Sequence, residues 1–389
     1  MVSPQYLSIL KTKLSKAGLQ VSHLNSDVQK LIDQEREVMK FHRSLQRDQD
    51  SAYGQGWFRL DQYHSYDEIV DYLFNVGQWY PEFAEVITGQ HKSHRGKTLY
   101  GVKIGSRVKD YGNKPAIWID GGIHAREWIS PAVCLYIIEQ LVSGYKDYNK
   151  TVRNYVDEVD FYIMPVVNPD GYDHSRTVFR LWRKNMRKIV RNRTEYTHCD
   201  GVDLNRNYDW DWGRIDSSSD PCDDTYAGAF EFSEPETRSV RDIIDSIGHR
   251  LRAFFTLHSY AQIWSFPYGH QEHFPAPNGP QMRAMALKAT QKLKSYFNTK
   301  YAVGTAADEL YPASGGAADW AKGRKHAEYA YLIELSPTSE LGGLIGERGF
   351  FMPEHKILPT AKETYGGMTV IFVAVLDEYR RQYRDWNRT

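Results

Sequence analysis

Five segments of this sequence are almost continuously apolar, and this constrains the fold more than any other feature. They are TLYGVKIG, PAIWIDGGIH, VDFYIMPVVN, LRAFFTLHSY and EYAYLIELS. Strands of this kind are buried on both faces, because a strand with one wet face alternates apolar and polar residues. Helical segments such as PAVCLYIIEQLV, ETRSVRDIIDSIG and PQMRAMALKATQKLKSYF can cover those faces. The sequence therefore predicts an α/β fold with a central sheet, parallel or mixed, between helices.

The bulk composition excludes several classes of function. The 389 residues include 49 Lys and Arg against 49 Asp and Glu, so no net charge attracts nucleic acid or an anionic membrane. No apolar run reaches the roughly 20 residues that a membrane-spanning helix needs. The first residues lack the apolar core of a signal peptide, so we expect any secretion signal to lie outside this chain.

Residues that can bind a metal or transfer a proton stand near the ends of three of these strands. His124 and Glu127 follow PAIWIDGG, His258 follows LRAFFTL and Glu334 lies within AYLIELS. Open α/β sheets place their sites at the carboxyl ends of strands. Two imidazoles and one carboxylate suit Zn²⁺, with a fourth position open to water. Because Glu334 stands between apolar residues, we expect a raised pKa, which suits a base that takes a proton from water.

Each of these signals is weak by itself. The spacing H-x-x-E arises easily by chance, and a single strand histidine such as His258 is more often a core residue with satisfied hydrogen bonds. Arg183 or Arg206, taken alone, is more simply explained as part of a surface ion pair. The hypothesis of a metal site therefore depends on several motifs that occur together and in order.

Six successive motifs resemble those of the zinc carboxypeptidases of the A/B type. They are GGIHAREWISPA, FRLWRKNMR, CDGVDLNRNYDW, TLHSYAQIWSFPYG, ELYPASGGAADWA and YLIELSPT. The resemblance covers about residues 57–380. It implies a mixed sheet of roughly eight strands between helices, in agreement with the segments above, and a zinc-dependent enzyme that hydrolyses the C-terminal peptide bond. Two histidines and one glutamate are the known zinc ligands of carboxypeptidase A.

The resemblance also implies roles for single residues. It places one Zn²⁺ on His124, Glu127 and His258, with Asp203 orienting a histidine ligand and Glu334 as the general base. The residues implied to act on the substrate are Arg126 at the scissile carbonyl, Arg183 at the oxyanion, Asn205 and Arg206 at the terminal carboxylate, and Tyr311 closing over the bound residue. Arginine suits carboxylate binding because its planar fork donates two parallel hydrogen bonds.

The preference for the released residue is expected to depend on the pocket beneath the carboxylate-binding residues. By the resemblance, Ala318 occupies the position where members that prefer Lys or Arg carry Asp, and Gly269 is another pocket residue. A pocket without a carboxylate favours aliphatic or aromatic residues, which is the A-type preference. Asp308 and Glu309 lie near Tyr311 in sequence, so a B-type preference for Lys or Arg is the alternative.

The N-terminal part of the chain differs in character from the rest. DVQKLIDQEREVMKFHRSLQR has a helical pattern, and the polar, basic stretch KFHRSLQRDQDSAYGQG predicts a linker open to a trypsin-like protease. By the resemblance, residues 1–50 are a partial activation segment with its linker, and residues 51–389 are the catalytic domain. A partial segment leaves open whether it folds and inhibits the enzyme.

The three cysteines bear on the compartment. From the residues alone, Cys199 and Cys222 are either free thiols or a pair that closes one loop, and Cys134 is a small buried apolar residue. The resemblance implies a disulfide between Cys199 and Cys222. It also implies a secreted, monomeric protein whose partners are peptide C-termini and an activating protease.

Three functions are compatible with these residues. The first is an active zinc exopeptidase that releases apolar C-terminal residues. The second is a catalytically silent protein that binds peptide C-termini, and the presence of Glu334 argues against it. The third is a zinc deacylase or amidohydrolase on the same fold. Asn205, Arg206 and Tyr311 together favour the peptidase.

Overall fold

The computed structural model describes residues 4–19, 27–53, 58–107, 114–189, 199–337 and 349–386. Its helices are α1 (Pro4–Lys16), α2 (Val28–Tyr53), α3 (Tyr66–Trp79), α4 (Ile129–Lys146), α5 (Lys150–Glu158), α6 (Pro169–Thr177), α7 (Pro235–Ile247), α8 (Gly279–Phe297), α9 (Ala306–Glu309), α10 (Ala317–Gly323) and α11 (Ile357–Trp386). Its strands are β1 (Ala84–Thr88), β2 (Tyr100–Ile104), β3 (Ala116–Asp120), β4 (Asp160–Met164), β5 (Leu251–Ser259), β6 (Ile263–Phe266), β7 (Ala302–Thr305) and β8 (Tyr329–Leu335). Within these ranges no helix has the length and apolarity that crossing a bilayer requires.

The strands that the structure describes form one mixed sheet of eight, in the order β1-β2-β4-β3-β5-β8-β6-β7. The centre is parallel, because β3 runs parallel to β4 and β5, and β5 runs parallel to β8. Antiparallel pairs occur on either side of it, between β1 and β2, β2 and β4, and β6 and β8. The five strands predicted from apolar runs are the five contiguous central ones.

Both faces of the sheet are covered, and strand β3 shows how. Ile117 and Ile119 pack into one buried apolar cluster, which is completed by helices α3, α4, α8 and α11. Ala116 and Trp118 point the other way, into a cluster that includes residues of α7 and α10. Alternate residues of a strand face opposite sides of a sheet, so every position of β3 must be apolar or bonded. The predicted sheet between helices is confirmed.

Two glycines let β3 turn into the loop that carries the H-x-x-E motif. Gly122 has a φ of 62°, in the left-handed region that favours glycine. A Cβ on Gly121 would lie 2.9 Å from the backbone of Ser130. Helix α4 starts at Ile129, so the loop between strand and helix is short and stays at the carboxyl edge of the sheet.

Helix α2 contacts the rest of the chain through charged pairs. Arg180 binds both carboxylate oxygens of Glu35, at 2.6 and 3.1 Å, and its guanidinium lies 3.6 Å from the ring centre of Trp128. His42 is hydrogen-bonded to Glu354. The helix continues to Tyr53, through most of the polar stretch for which the sequence predicted a linker. The physical reason is that this stretch contains no glycine or proline before Gly54.

A buried polar network lies at the start of α7. Asn185 donates from Nδ2 to Glu234 at 2.8 Å and to Glu236 at 3.0 Å, and Glu234 also accepts from Arg187 at 2.7 Å. Both carboxylates are fully buried. Burial and the neighbouring charge of Glu234 raise the pKa of Glu236 to about 7. Glu236 is therefore the member of the network that holds a proton near neutral pH.

This raised pKa predicts a pH-dependent stability. A carboxyl group with a pKa of about 7 when folded and 4.5 when unfolded binds more protons in the folded state between these values. The contribution of Glu236 to the free energy of unfolding should then fall by about 3 kcal/mol as the pH rises across that window and be level above it. In urea unfolding from pH 4 to 8, Glu236→Gln should flatten this slope, while the exposed Glu231→Gln should keep it. Parallel curves for Glu236→Gln and the parent would contradict the assignment.

Candidate active site

Two histidines and a glutamate meet at the carboxyl edge of the sheet. His124 Nδ1 lies 2.8 Å from Glu127 Oε1, His258 Nδ1 lies 3.2 Å from Glu127 Oε2, and the two Nδ1 atoms are 3.1 Å apart. All three side chains are buried. Donors about 2.1 Å from a tetrahedral zinc lie roughly 3.4 Å from one another. The donor types and their separations therefore fit Zn²⁺.

The other ring nitrogen of each histidine has a partner of its own. His124 Nε2 lies 3.1 Å from Asp203 Oδ1, and His258 Nε2 lies 3.2 Å from the hydroxyl of Thr256. Thr256 donates in turn to Asp120 at 2.7 Å. Such partners fix the ring orientation of metal-binding histidines. Our sequence analysis missed Thr256 and Asp120, although an acid within an apolar strand and a threonine two residues before His258 were available signals.

Asp203 joins several parts of the site. Its Oδ2 accepts from Arg183 Nε and Nη2 at 2.9 and 2.7 Å, and its Oδ1 accepts from the backbone N–H of Asn205 at 3.0 Å. Although burial opposes it, the charges of Arg183 and His124 hold the pKa of Asp203 well below its usual range. This carboxylate is therefore ionised, and it links His124 to Arg183 and to the backbone of Asn205.

A pocket opens beside the histidines. Its lining includes these residues singled out from sequence: His124, His258, Glu334, Arg183, Asn205, Arg206, Tyr311, Gly269 and Ala318. Glu127 and Asp203 are buried behind them: Glu127 contacts both histidines, and Asp203 contacts His124. Arg126 is not among the lining residues: its Nη1 donates to Leu181 O at 3.1 Å and to Asp224 at 3.3 Å.

Glu334 lines this pocket next to a histidine. Strands β5 and β8 pair in a register that sets Glu334 directly beside His258. Burial, together with the charge of Glu127, raises the pKa of Glu334 to about 7. The expectation of a raised pKa at this position agrees with the structure. A carboxyl group with such a pKa can both accept and return a proton near neutral pH.

Two carboxylates near the pocket accept hydrogen bonds from other groups of the protein. Asp319 lines the pocket, and both its oxygens accept from the backbone N–H of Gly269, at 2.9 and 2.8 Å. Asp308 accepts from the backbone N–H of His273 and the hydroxyl of Thr305, each at 2.8 Å. Neither Asp308 nor Glu309 is among the residues that line the pocket.

The loop that carries Asp203, Asn205 and Arg206 is closed by a covalent bond. A disulfide joins Cys199 to Cys222, as the resemblance implied, and Cys134 is buried and free. The chain between the two cysteines therefore holds residues of the pocket within one closed loop.

Comparison with known proteins identifies the family. A model of the zinc carboxypeptidase family matches residues 69–367, which is most of the chain. The chain belongs to this family. Residues 1–35 match a second model, the carboxypeptidase activation peptide. The protein is thus a zinc-dependent carboxypeptidase with an activation peptide, and the two histidines with Glu127 form a group that could bind its metal.

Individual relatives span nearly the whole chain. Carboxypeptidase B of Astacus astacus is 40% identical over 318 residues, covering 82% of this chain and 98% of that protein. Carboxypeptidase A2 of Rattus norvegicus is 36% identical over 372 residues, covering 95% and 82%. The crystal structure of thrombin activatable fibrinolysis inhibitor matches with a TM-score of 0.82 at 31% identity, over 97% of this chain and 87% of that one. These relatives include both A and B types, so the preference of this carboxypeptidase does not follow from them.

The described residues contain one other group with the spacing of metal ligands, formed by His94, Glu234 and Glu236. Glu234 is already bound there by the guanidinium of Arg187 and by Asn185. A cation beside the carboxylate opposes a second cation. This group is therefore better described as the buried ion-pair network at the start of α7.

The hydroxyl of Thr256 provides a direct test of the metal site. We expect Thr256→Val, which keeps the shape of the side chain, to weaken zinc binding 10- to 100-fold because His258 loses its hydrogen-bond partner. Thr256→Ser keeps a hydroxyl and should bind zinc nearly as the parent does. Competition with a chromophoric chelator measures both. Equal zinc affinity for the valine variant and the parent would show that Thr256 does not support a ligand.

Proposed function

We propose that this zinc carboxypeptidase releases single aliphatic or aromatic residues from peptide C-termini. The observation that carries the proposal is that one pocket is lined both by Arg206, a cation for a terminal carboxylate, and by the small apolar side chain of Ala318. Glu334 and the two histidines line the same pocket. A substrate residue seated there would have its peptide bond next to the proposed metal ligands.

His124, Glu127 and His258 would hold the zinc ion. Zinc, when bound, polarises the scissile carbonyl and makes a water molecule acidic enough to act as nucleophile at neutral pH. Glu334 would accept the proton of the attacking water and pass it to the leaving nitrogen, for which a pKa of about 7 is suited. Arg183, whose Nη1 lies 3.4 Å from His124 Nδ1, would stabilise the charge that develops on the carbonyl oxygen.

Substrate capture would involve the rest of the lining. Arg206 and Asn205 would bind the terminal carboxylate, and Tyr311, which is half exposed, would close over the bound residue. The guanidinium of Arg206 is 5.9 Å from the ring centre of Tyr311, so a closing ring has a short way to travel. Arg126, next to Asp224, would add a cation at the scissile carbonyl.

The N-terminal residues would regulate access. We assign residues 1–50 to a partial activation segment and residues 51–389 to the catalytic domain, with cleavage between them by a trypsin-like protease. The pair between Glu35 and Arg180 supports docking of the segment on the catalytic domain. The disulfide supports secretion, because such bonds persist in oxidising compartments. We further propose that the protein is a monomer.

A preference for Lys or Arg is the second candidate, since a 40% identical relative is a carboxypeptidase B. The engaged state of Asp319 and the placement of Asp308 outside the lining favour the apolar preference. A cationic side chain buried in the pocket needs an oppositely charged partner there.

The general-base role predicts a clean separation of chemistry from metal binding. Glu334→Gln should lower kcat at least 1,000-fold, because the amide cannot accept the proton, while one zinc per chain stays bound. Glu309→Gln, outside the pocket, should leave both unchanged. Hydrolysis of a blocked dipeptide and zinc analysis by mass spectrometry give the two readings. Loss of zinc from Glu334→Gln, or survival of turnover, would contradict the assigned role.

The preference is tested with two blocked dipeptides that end in Phe and in Arg, before and after limited trypsin treatment and with a chelator control. We expect chelator-sensitive release of Phe that increases after trypsin. Ala318→Asp should shift kcat/KM toward the Arg substrate by at least tenfold, because it adds a carboxylate to the pocket lining. Ala318→Asn, of the same size without the charge, should not. Release of Arg by the parent enzyme would overturn the apolar preference.

A further inference from the structure

Arg206 carries a carboxylate partner from its own chain. Its Nη2 donates to Asp216 Oδ2 at 2.7 Å, and its Nε donates to the backbone oxygen of the same residue at 2.7 Å. Its Nη1 donates to the backbone oxygen of Asn205 at 3.1 Å. Arg206 is almost fully buried, whereas the side chain of Asp216 is 39% exposed. Our sequence analysis did not single out Asp216.

These contacts leave room for a substrate on the same guanidinium. Arginine has five N–H bonds, of which three are taken here, so two remain. Two is the number that a carboxylate needs for a bidentate contact. A terminal carboxylate can therefore bind without removing Asp216, but two carboxylates would then share one buried cation. Asp203, with Oδ2 3.9 Å from Arg206 Nη1, already adds negative charge on another side.

We propose that Asp216 is a built-in competitor that weakens the capture of the substrate's carboxylate by Arg206. This proposal rests on the proposed function, in which Arg206 binds the terminal carboxylate of the substrate. Two carboxylates bound to one guanidinium repel each other, and the low polarity around a buried cation reduces the screening between them. Asp216 thus lowers the affinity of the enzyme both for the free C-terminus of the substrate and for the product amino acid, which carries the same carboxylate.

The backbone at Asp216 decides which variants are informative. Its φ is 42°, in the left-handed region that glycine and asparagine adopt more readily than alanine. Asp216→Asn removes the charge and keeps an oxygen that can accept from Nη2. Asp216→Gly removes the whole side chain, and both variants keep the backbone oxygen that binds Nε. Asp211→Asn is a matched control, because Asp211 lies in the same loop with a φ of 50° and pairs with Arg214 instead.

The test uses the trypsin-treated, zinc-loaded enzyme and two inhibitors, phenylalanine and phenylalaninamide. We expect the Ki of phenylalanine, and the KM of a substrate with a free C-terminus, to fall 3- to 10-fold in Asp216→Asn and Asp216→Gly. The effect should fall on KM rather than kcat, because the carboxylate is bound alike in ground and transition states. Phenylalaninamide lacks the negative charge and should bind both Asp216 variants as tightly as it binds the parent. Both inhibitors should bind Asp211→Asn as tightly as they bind the parent.

Several outcomes would overturn the proposal. An unchanged Ki in both variants would show that Asp216 does not compete. A raised Ki would show that Asp216 orients Arg206 for the substrate. A lower Ki in the glycine variant alone would assign the effect to backbone freedom instead of charge. Failure of the proposed function is seen separately, since a parent enzyme that released no C-terminal residue would refute that function whatever the variants did.

Discussion

The buried carboxylate of Asp203 is the interaction on which the site depends. It is fully buried and serves His124, Arg183 and the backbone of Asn205 at once. A buried charge is tolerated only when it is paired, so each of these groups is held to a carboxylate that cannot move without leaving a charge unpaired. The orientation of a proposed metal ligand, the proposed oxyanion cation and the start of the loop proposed to bind the terminal carboxylate are thereby coupled.

The sheet provides the rigid frame for this coupling. Strands β3, β5 and β8 are neighbours, and each brings one chemical group to the same edge: the H-x-x-E loop after β3, His258 near the end of β5 and Glu334 near the end of β8. Sites on packed strands are more precisely placed than sites on loops. Tyr311, by contrast, lies at the surface and is half exposed. The disulfide between Cys199 and Cys222 constrains the loop that carries Arg206.

Much of this arrangement could be predicted from the sequence, and there are physical reasons why the rest could not. The central strands were predicted because burial on both faces demands continuous apolar runs. Strands β1, β6 and β7 lie toward the edges of the sheet, and β6 and β7 have only four residues each. Four residues of the site could be recognised because burying a polar group at a strand end costs free energy unless it has a partner: they are His124, Glu127, His258 and Glu334. Thr256 and Asp120 could have been predicted as site residues, because alternate residues of β5 and β3 point to the same face of the sheet. The contact between Arg206 and Asp216 was not, because it depends on a loop with left-handed residues whose path no local pattern specifies.

The most direct test of the account is mass spectrometry of one peptide of known sequence, incubated with the trypsin-treated enzyme in its free-acid and C-terminally amidated forms. The free acid should lose residues one at a time from its C-terminus, beginning with an apolar residue, and a zinc chelator should stop the reaction. The amidated form should remain intact, because Arg206 would have no carboxylate to bind. Internal cleavage, or equal cleavage of both forms, would contradict an exopeptidase that recognises a free C-terminus.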